Sequence, residues 1–263
     1  MDPIHPDRPT RVPTNLSRSR RIWPTIGFPI TIMVLFYGPY PQVCRRFFRK
    51  LFQFTDPSLF ELRVGLNEVV AETKEIVSDY VAQGLVDRVY ESPTNLFKSP
   101  MMRRMVHEDP IETTWSLWFD DDSFPYQGDW LPALANRIEN ESTVDAWGRK
   151  LYLHASEPVE AFIRSAPWYR GKPFIHEFNG VTSERPYLFF MEGAYWALKS
   201  HILYDLDWPD PRLIQNEEDF VFGEALHQNE YRVEQSFSGV RLNAGGRRTP
   251  RQTPLIDDAP PQG

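Results

Sequence analysis

Between residues 30 and 119 the chain alternates short apolar runs with stretches of helical periodicity, and that order restricts the possible folds more than any other feature of the sequence. ITIMVLF (30–36), FELRVGL (60–66), VDRVYES (86–92) and TTWSLWF (113–119) read as strands. QVCRRFFRKLFQF (42–54) carries aromatic and aliphatic residues at helical spacing with arginines on the opposite face. NEVVAETKEIVSDYVAQG (67–84) closes on Gly84, a natural helix stop, and SPMMRRMVH (99–107) supplies a third helix. This alternation predicts an α/β fold in which a mostly parallel central sheet is flanked by helices on both faces. Ligands of such sheets bind beyond the carboxyl ends of the strands.

The flanks differ from this body. Residues 1–25 and 247–263 are rich in Pro, Arg, Ser and Thr and poor in large aliphatics, so they are expected to be poorly ordered tails around one catalytic-sized domain, residues 26–246. The stretch SRSRRIWPTIGFPITIMVLFYGPYP has the outline of an anchor, basic residues followed by an apolar run. Pro24, Pro29, Pro39 and Pro41 would break a spanning helix, and the uninterrupted run from Ile30 to Phe36 is far short of the ~20 residues a bilayer needs. A buried strand is expected instead, with no transmembrane segment and a cytoplasmic location. The single cysteine, Cys44, cannot form an internal disulfide, which suits a reducing compartment. The net charge of -7 provides no global basic field for nucleic acid.

The fourth apolar run ends in WFDDDS. Three like charges in a row oppose burial, and the topology places Asp120, Asp121 and Asp122 where the strand ends, in the crevice rather than the core. A divalent cation with oxygen preference offsets their repulsion, and an Asp-x-Asp spacing offers one carboxylate to the metal and another to a ribose or a metal-bound water. A second acidic cluster occurs in QNEEDFVFGEALHQ (215–228), a predicted helix with Glu217, Glu218 and Asp219 in its first turn.

In order along the chain, ITIMVLFYGPY, ELRVGLNE, PTNLFKSPMMRRM, WFDDDS, FMEGAYWALKS and NEEDFVFGEALHQNEYRV resemble the GT-A fold glycosyltransferases, and among them the inverting family 2 group, over residues 28 to 245. The resemblance implies a GT-A, Rossmann-like sheet and transfer of a sugar from a nucleotide-diphosphate donor, a UDP-sugar by expectation, to an acceptor hydroxyl. It implies Mn2+ or Mg2+ on the diphosphate, held by Asp122 with Asp120 as second ligand or ribose contact. It makes Asp219 the catalytic base, with Glu218 as runner-up. Tyr37, Asn67, Lys98, Arg103, Arg104, Asp121 and Gly193 join Asp120 as donor-binding candidates: the cations for the diphosphate, Tyr37 for the base, and Gly193 as a small residue that leaves room for sugar and acceptor. Trp196, Trp208 and the WYR at 168–170 are candidates for stacking on a sugar.

Two departures from the family pattern stand out. No histidine follows His227, which lies inside the predicted helix, so Asn243 or water is expected to complete the metal shell. Asn67 and Glu68 stand where paired aspartates often help to read the base. The acceptor stays open among saccharide, lipid-linked sugar, protein and modified DNA. Arg8, Arg11, Arg18, Arg20 and Arg21, with Arg247, Arg248 and Arg251, motivate a phage-type transferase acting on hydroxymethylated DNA as an alternative. A nucleotidyltransferase is the remaining rival, and FYGPYPQ lacks the Gly-rich, lysine-bearing phosphate loop that it would need.

Overall fold

A computed structural model describes residues 29–214 and 218–244. Both expected tails, and the domain limits drawn at them, lie outside the described residues.

The alternating half follows the expected pattern. β1 (Ile30–Tyr37), α1 (Pro41–Phe54), β2 (Phe60–Asn67), α2 (Ala71–Ala82), β3 (Arg88–Ser92), α3 (Lys98–His107) and β4 (Trp115–Asp120) succeed one another. Their strands are parallel, in the order β3-β2-β1-β4. β1 is apolar on both faces because helices cover both, which is why its sequence reads as a continuous run. Tyr37 pairs in register with Asn67 and Asn67 with Ser92, while Asp120 lies opposite Leu35, so four strand ends form one carboxyl-terminal rim. α2 begins later than expected. The chain leaves β2 through Glu68 in a left-handed conformation (φ 53), and helix sets in only at Ala71.

The second half is mixed. It runs through β5 (Phe124–Pro125), α4 (Trp130–Asn140), β6 (Ala146–His154), α5 (Glu157–Arg164), β7 (Ile175–Phe178) and β8 (Val181–Lys199). α6 (His201–Asp205), α7 (Glu218–Gln228), β9 (Val233–Gln235) and β10 (Val240–Arg241) follow. β8 runs antiparallel to both β4 and β6, and β6 is parallel to β9. The continuous parallel block is therefore the first four strands, with one further parallel pair in β6 and β9, and β8 is the seam at which strand direction reverses. Its nineteen residues start in a two-residue turn with β7, Asn179-Gly180, both at positive φ, the combination that matches the twist of a tight hairpin.

Two apolar layers sandwich the sheet. One packs α1 and α4 residues such as Phe47, Phe48 and Leu134 on Val34, Val64 and Phe119. The other packs α3, α6 and α7 residues such as Met105, Ile202 and Phe222 on Met33, Trp118 and Trp196. Fully buried Arg63 ties α3 to β2: its Nη1 donates to the carbonyls of Met105 at 2.9 Å and Asp109 at 2.5 Å, and its Nη2 to that of Pro110 at 3.0 Å. These bonds satisfy carbonyls at the end of α3 that the helix cannot satisfy itself. No helix of the described residues is long and apolar enough to cross a membrane.

Candidate active site

The site assembles where β4 ends beside β8. Its centre is the Lys98 ammonium, 3.0 Å from Asp120 Oδ1, 2.8 Å from Glu218 Oε1 and 3.3 Å from the Gly193 carbonyl. Thus the first aspartate of the β4 terminus, the first turn of α7 and the middle of β8 meet at one cation. Trp118 Nε1 also donates to Asp120 Oδ1, at 3.0 Å, and fixes the carboxylate in place.

Lys98 reaches this point because the loop before α3 is held by Asn67. Asn67 Oδ1 accepts from the Leu96 N–H at 2.8 Å, and its amide donates to Asn95 Oδ1 at 3.0 Å. Asn95 Oδ1 in turn accepts from the Phe97 N–H at 2.8 Å, while Phe97 itself takes a left-handed φ of 66. Asn67 is buried and its side chain is bonded to the loop that carries Lys98.

Gly193 is a matter of space. A Cβ there would lie 2.1 Å from Asp219 Oδ1 and 2.9 Å from Lys98 Nζ, so only glycine lets both groups approach the strand. Met102, Met191, Trp208 and Phe222 line a small void of about 10 Å³ together with Lys98, Glu218 and Asp219. Burial, with the charges of Glu218 and Asp120, pushes the Asp219 carboxyl up to about 7, against the opposing pull of the Lys98 ammonium and the Gly193 N–H. Burial opposes the Lys98 charge as well, but Asp120, Glu218 and Asp219 outweigh it and hold the ammonium above the ordinary lysine range.

The three aspartates separate. Asp120 is half-buried and faces Lys98, whereas Asp121 is 1% exposed and its charge, after burial itself, helps push the Cys44 thiol up from the α1 side. β4 ends at Asp120 and Asp121 opens the turn that follows, so Asp121 lies toward Cys44 of α1 while Asp120 lies against Lys98. Asp122 is 4% exposed, and its carbonyl accepts from the Ala244 N–H at 2.8 Å where the β10 segment returns along β5. Asn243 follows that path, but its side-chain amide donates to Glu192 Oε1 at 2.5 Å. His227 lies within α7, beside Glu224, as expected.

Arg103 and Arg104 differ in position from the expectation. They occupy the middle of α3, not its start, and both are spoken for. Arg103 holds Asp207 and the Pro209 carbonyl at 2.7 Å, and Arg104 Nε holds Glu108 Oε1 at 2.5 Å. Trp196 and Trp208, at 2% exposure each, are core residues: Trp208 stacks on Phe222 and Trp196 on Trp118. Trp168 is also buried. Tyr37 stays half-exposed at the end of β1, against Tyr40.

Among the described residues no three His, Cys, Asp or Glu side chains converge into a metal-binding group. Asp120 at the end of β4 and Asp122 two residues on are hard oxygen donors, the ligand type that a divalent cation bringing phosphate oxygens and water would take.

No protein-family model matches the sequence, and no curated protein matches it. Solved structures do. The chain is similar to GalNAc-T7 with UDP, GalNAc and Mn2+ (TM-score 0.56, 13% identity, 79% of this chain and 41% of that one). It is similar to the mannosyltransferase PcManGT from Pyrobaculum calidifontis in complex with GDP-Man and Mn2+ (TM-score 0.53, 12% identity, 80% and 55%). It is similar to S. aureus TarS 1–349 in complex with UDP-GlcNAc (TM-score 0.51, 16% identity, 80% and 56%). This is the GT-A fold. Its parallel half carries Lys98 and Asp120, its mixed half carries Gly193 and Asp219, and the chain spans about half the length of the solved proteins it matches.

Proposed function

We propose that the protein is a metal-dependent glycosyltransferase that moves a sugar from a nucleoside-diphosphate sugar, a UDP-sugar by preference, to an acceptor hydroxyl with inversion. The observation that carries this reading is Asp219: a carboxyl raised to about 7, seated against a glycine and coupled through Lys98 to the acidic end of β4. A base with that affinity for protons takes the acceptor's hydroxyl proton near neutral pH. The acceptor oxygen then bonds to the sugar's anomeric carbon while the bond from that carbon to the phosphate oxygen breaks, and the electron pair leaves with the diphosphate. One displacement inverts the centre.

Lys98 has two tasks in this scheme. At rest it neutralises Asp120 and Glu218; with donor bound, its ammonium stabilises negative charge growing on the diphosphate. Asp120 and Asp122 would hold Mn2+ or Mg2+, which supplies further charge stabilisation to the leaving diphosphate. The metal and nucleotide in the solved neighbours' complexes support this assignment.

The test is mass spectrometry of incubations with a panel of nucleotide sugars and Mn2+, reading nucleotide release and acceptor mass. Two variants assign the roles. Asp219→Asn is expected to leave UDP affinity nearly unchanged and to slow transfer by roughly 10² to 10⁴. Asp122→Asn is expected to weaken donor binding and turnover together, because an amide oxygen is a poorer ligand for a hard cation. If Asp219→Asn keeps its rate per folded molecule, the base is not Asp219, and Glu218 is next.

A further inference from the structure

The basic pair expected at the diphosphate lines a different cavity. A groove of about 340 Å³ lies between α3 and residues 210–213, at the lower end of the ~300–1,000 Å³ that small-molecule sites span. Its apolar surface comes from Pro100, Pro211 and Leu213, and its polar surface from Ser99, His107, Glu108 and Asp210 with Arg103 and Arg104. It starts at the residue after Lys98; it has no lining residue in common with the Asp219 crevice, although α3 and the 208–213 segment contribute walls to both.

Two observations define what it can bind. The first is Ser99, 2% exposed, whose hydroxyl has no hydrogen-bond partner among the described residues although the side chain lines the groove. Burying a hydroxyl without a partner is unfavourable, so a ligand group facing Ser99 would complete it. The second is the state of the charges. Arg103 is spent on Asp207 and on the carbonyls of Asp207 and Pro209, and Arg104 on Glu108 and the carbonyl of Glu91. Asp210 is likewise taken by Arg212. Each arginine charge is therefore already offset by a carboxylate, Arg103 by Asp207 and Arg104 by Glu108, so the groove offers no unpaired positive charge to attract phosphate. Acceptor capacity remains on Glu108 and Ser99, beside an apolar floor. Such a surface suits a neutral ligand that donates hydrogen bonds from hydroxyls and presents an apolar face, and a sugar ring has both.

We infer that the groove between α3 and residues 210–213 is a subsite for a neutral saccharide, separate from the donor crevice, in which Ser99 and Glu108 accept sugar hydroxyls. As part of the acceptor path it deepens the glycosyl-transfer reading and rests on it; as a binding site it does not. Saturation-transfer NMR and calorimetry on the full chain test it with methyl glucoside, methyl mannoside, N-acetylglucosamine, maltose and cellobiose, against glucosamine and inorganic phosphate. Each titration is run with and without saturating UDP and Mn2+. At least one neutral saccharide is expected to bind, and UDP is expected not to compete. Ser99→Ala is expected to weaken that binding threefold to tenfold, the scale of one neutral hydrogen bond, without lowering the melting temperature, because the hydroxyl has no protein partner to lose. Pro211→Trp, which fills the groove from its exposed side, is expected to abolish it.

Failure of every neutral saccharide to bind, displacement by UDP, stronger binding of phosphate or glucosamine, or indifference to both variants would each overturn the subsite. The two readings fail separately. Saccharide binding that depends on Ser99, without turnover of any nucleotide sugar, keeps the groove and removes the transferase. Turnover with an acceptor KM unchanged in Ser99→Ala and Pro211→Trp does the opposite.

Discussion

At the scale of single residues, the chemistry depends on the fit between Gly193 and Asp219. A methyl group at 193 would sit 2.1 Å from Asp219 Oδ1, so Gly193→Ala must move the carboxylate or the strand. Displacing a catalytic group by about 1 Å is enough to cost on the order of 10²-fold in rate, and that loss is expected in transfer assays while UDP affinity changes little. A variant with wild-type turnover would show that the two are not in contact during catalysis. The raised Asp219 also has a sign for stability. Its folded carboxyl titrates at about 7 and its unfolded one near 3.8, so the native state binds the extra proton between those values and loses stability as pH rises through them. Asp219→Asn removes the charge that burial and the neighbouring acids disfavour. It is expected to melt higher than the parent at pH 8, by on the order of 1–3 kcal/mol, with the advantage vanishing toward pH 4. Equal melting curves at both pH values would place Asp219 in a solvated setting. Asp120, Lys98, Gly193 and Asp219 were legible in the sequence because each sits at a strand end, a helix start or a small-residue position that topology brings to the rim. Asp121, Arg103, Arg104 and Trp208 were not, because composition does not say which way a side chain points or which partner reaches it first.

At the scale of elements, the decisive contact is α7 on β8. Gly223 faces the strand backbone: a Cβ there would lie 2.2 Å from the Phe189 carbonyl oxygen and 2.4 Å from the Phe190 Cα. Glycine inside a helix costs ~1 kcal/mol relative to alanine, and here that cost is accepted for close approach, which sets how far Asp219 projects over Gly193. Gly223→Ala therefore gains propensity and still destabilises, by roughly 1–3 kcal/mol or more, since backbone atoms cannot rotate away. Chemical denaturation measures it, and a stabilised variant would mean that α7 does not lie against β8. The alternating elements up to β4 could be read from periodicity because each is local. The direction of β8 could not, since FMEGAYWALKS is equally apolar in a parallel or an antiparallel strand, although Asn179-Gly180 announces the hairpin that precedes it. Arg63, in the middle of an apolar strand, gives no sequence sign that its partners are three carbonyls at the end of α3.

At the scale of the whole molecule, the site is the place where a parallel half and a mixed half meet, and Lys98 is the ion that joins them. It bonds Asp120 of the first and Glu218 and Gly193 of the second. A ligand spanning the same seam should stabilise the molecule as a unit. Nucleoside diphosphate alone meets the carboxylates of Asp120, Glu218 and Asp219 with one lysine to offset them, and a divalent cation alone competes with that lysine for Asp120. Together they arrive nearly neutralised. UDP and Mn2+ are therefore expected to raise the melting temperature only in combination, by about 5–11 °C at a hundredfold excess over Kd, the shift that ~2.7 kcal/mol produces in a domain of this size. Lys98→Met should reverse part of this dependence. Without the resident ammonium the acids repel one another, the ligand-free protein melts lower, and Mn2+ alone becomes stabilising. Thermal scans of both proteins with UDP, Mn2+, both, and EDTA separate the cases. If UDP gives the same shift in EDTA as in Mn2+, the cation has no part in donor binding, and Lys98 alone carries the charge of the diphosphate.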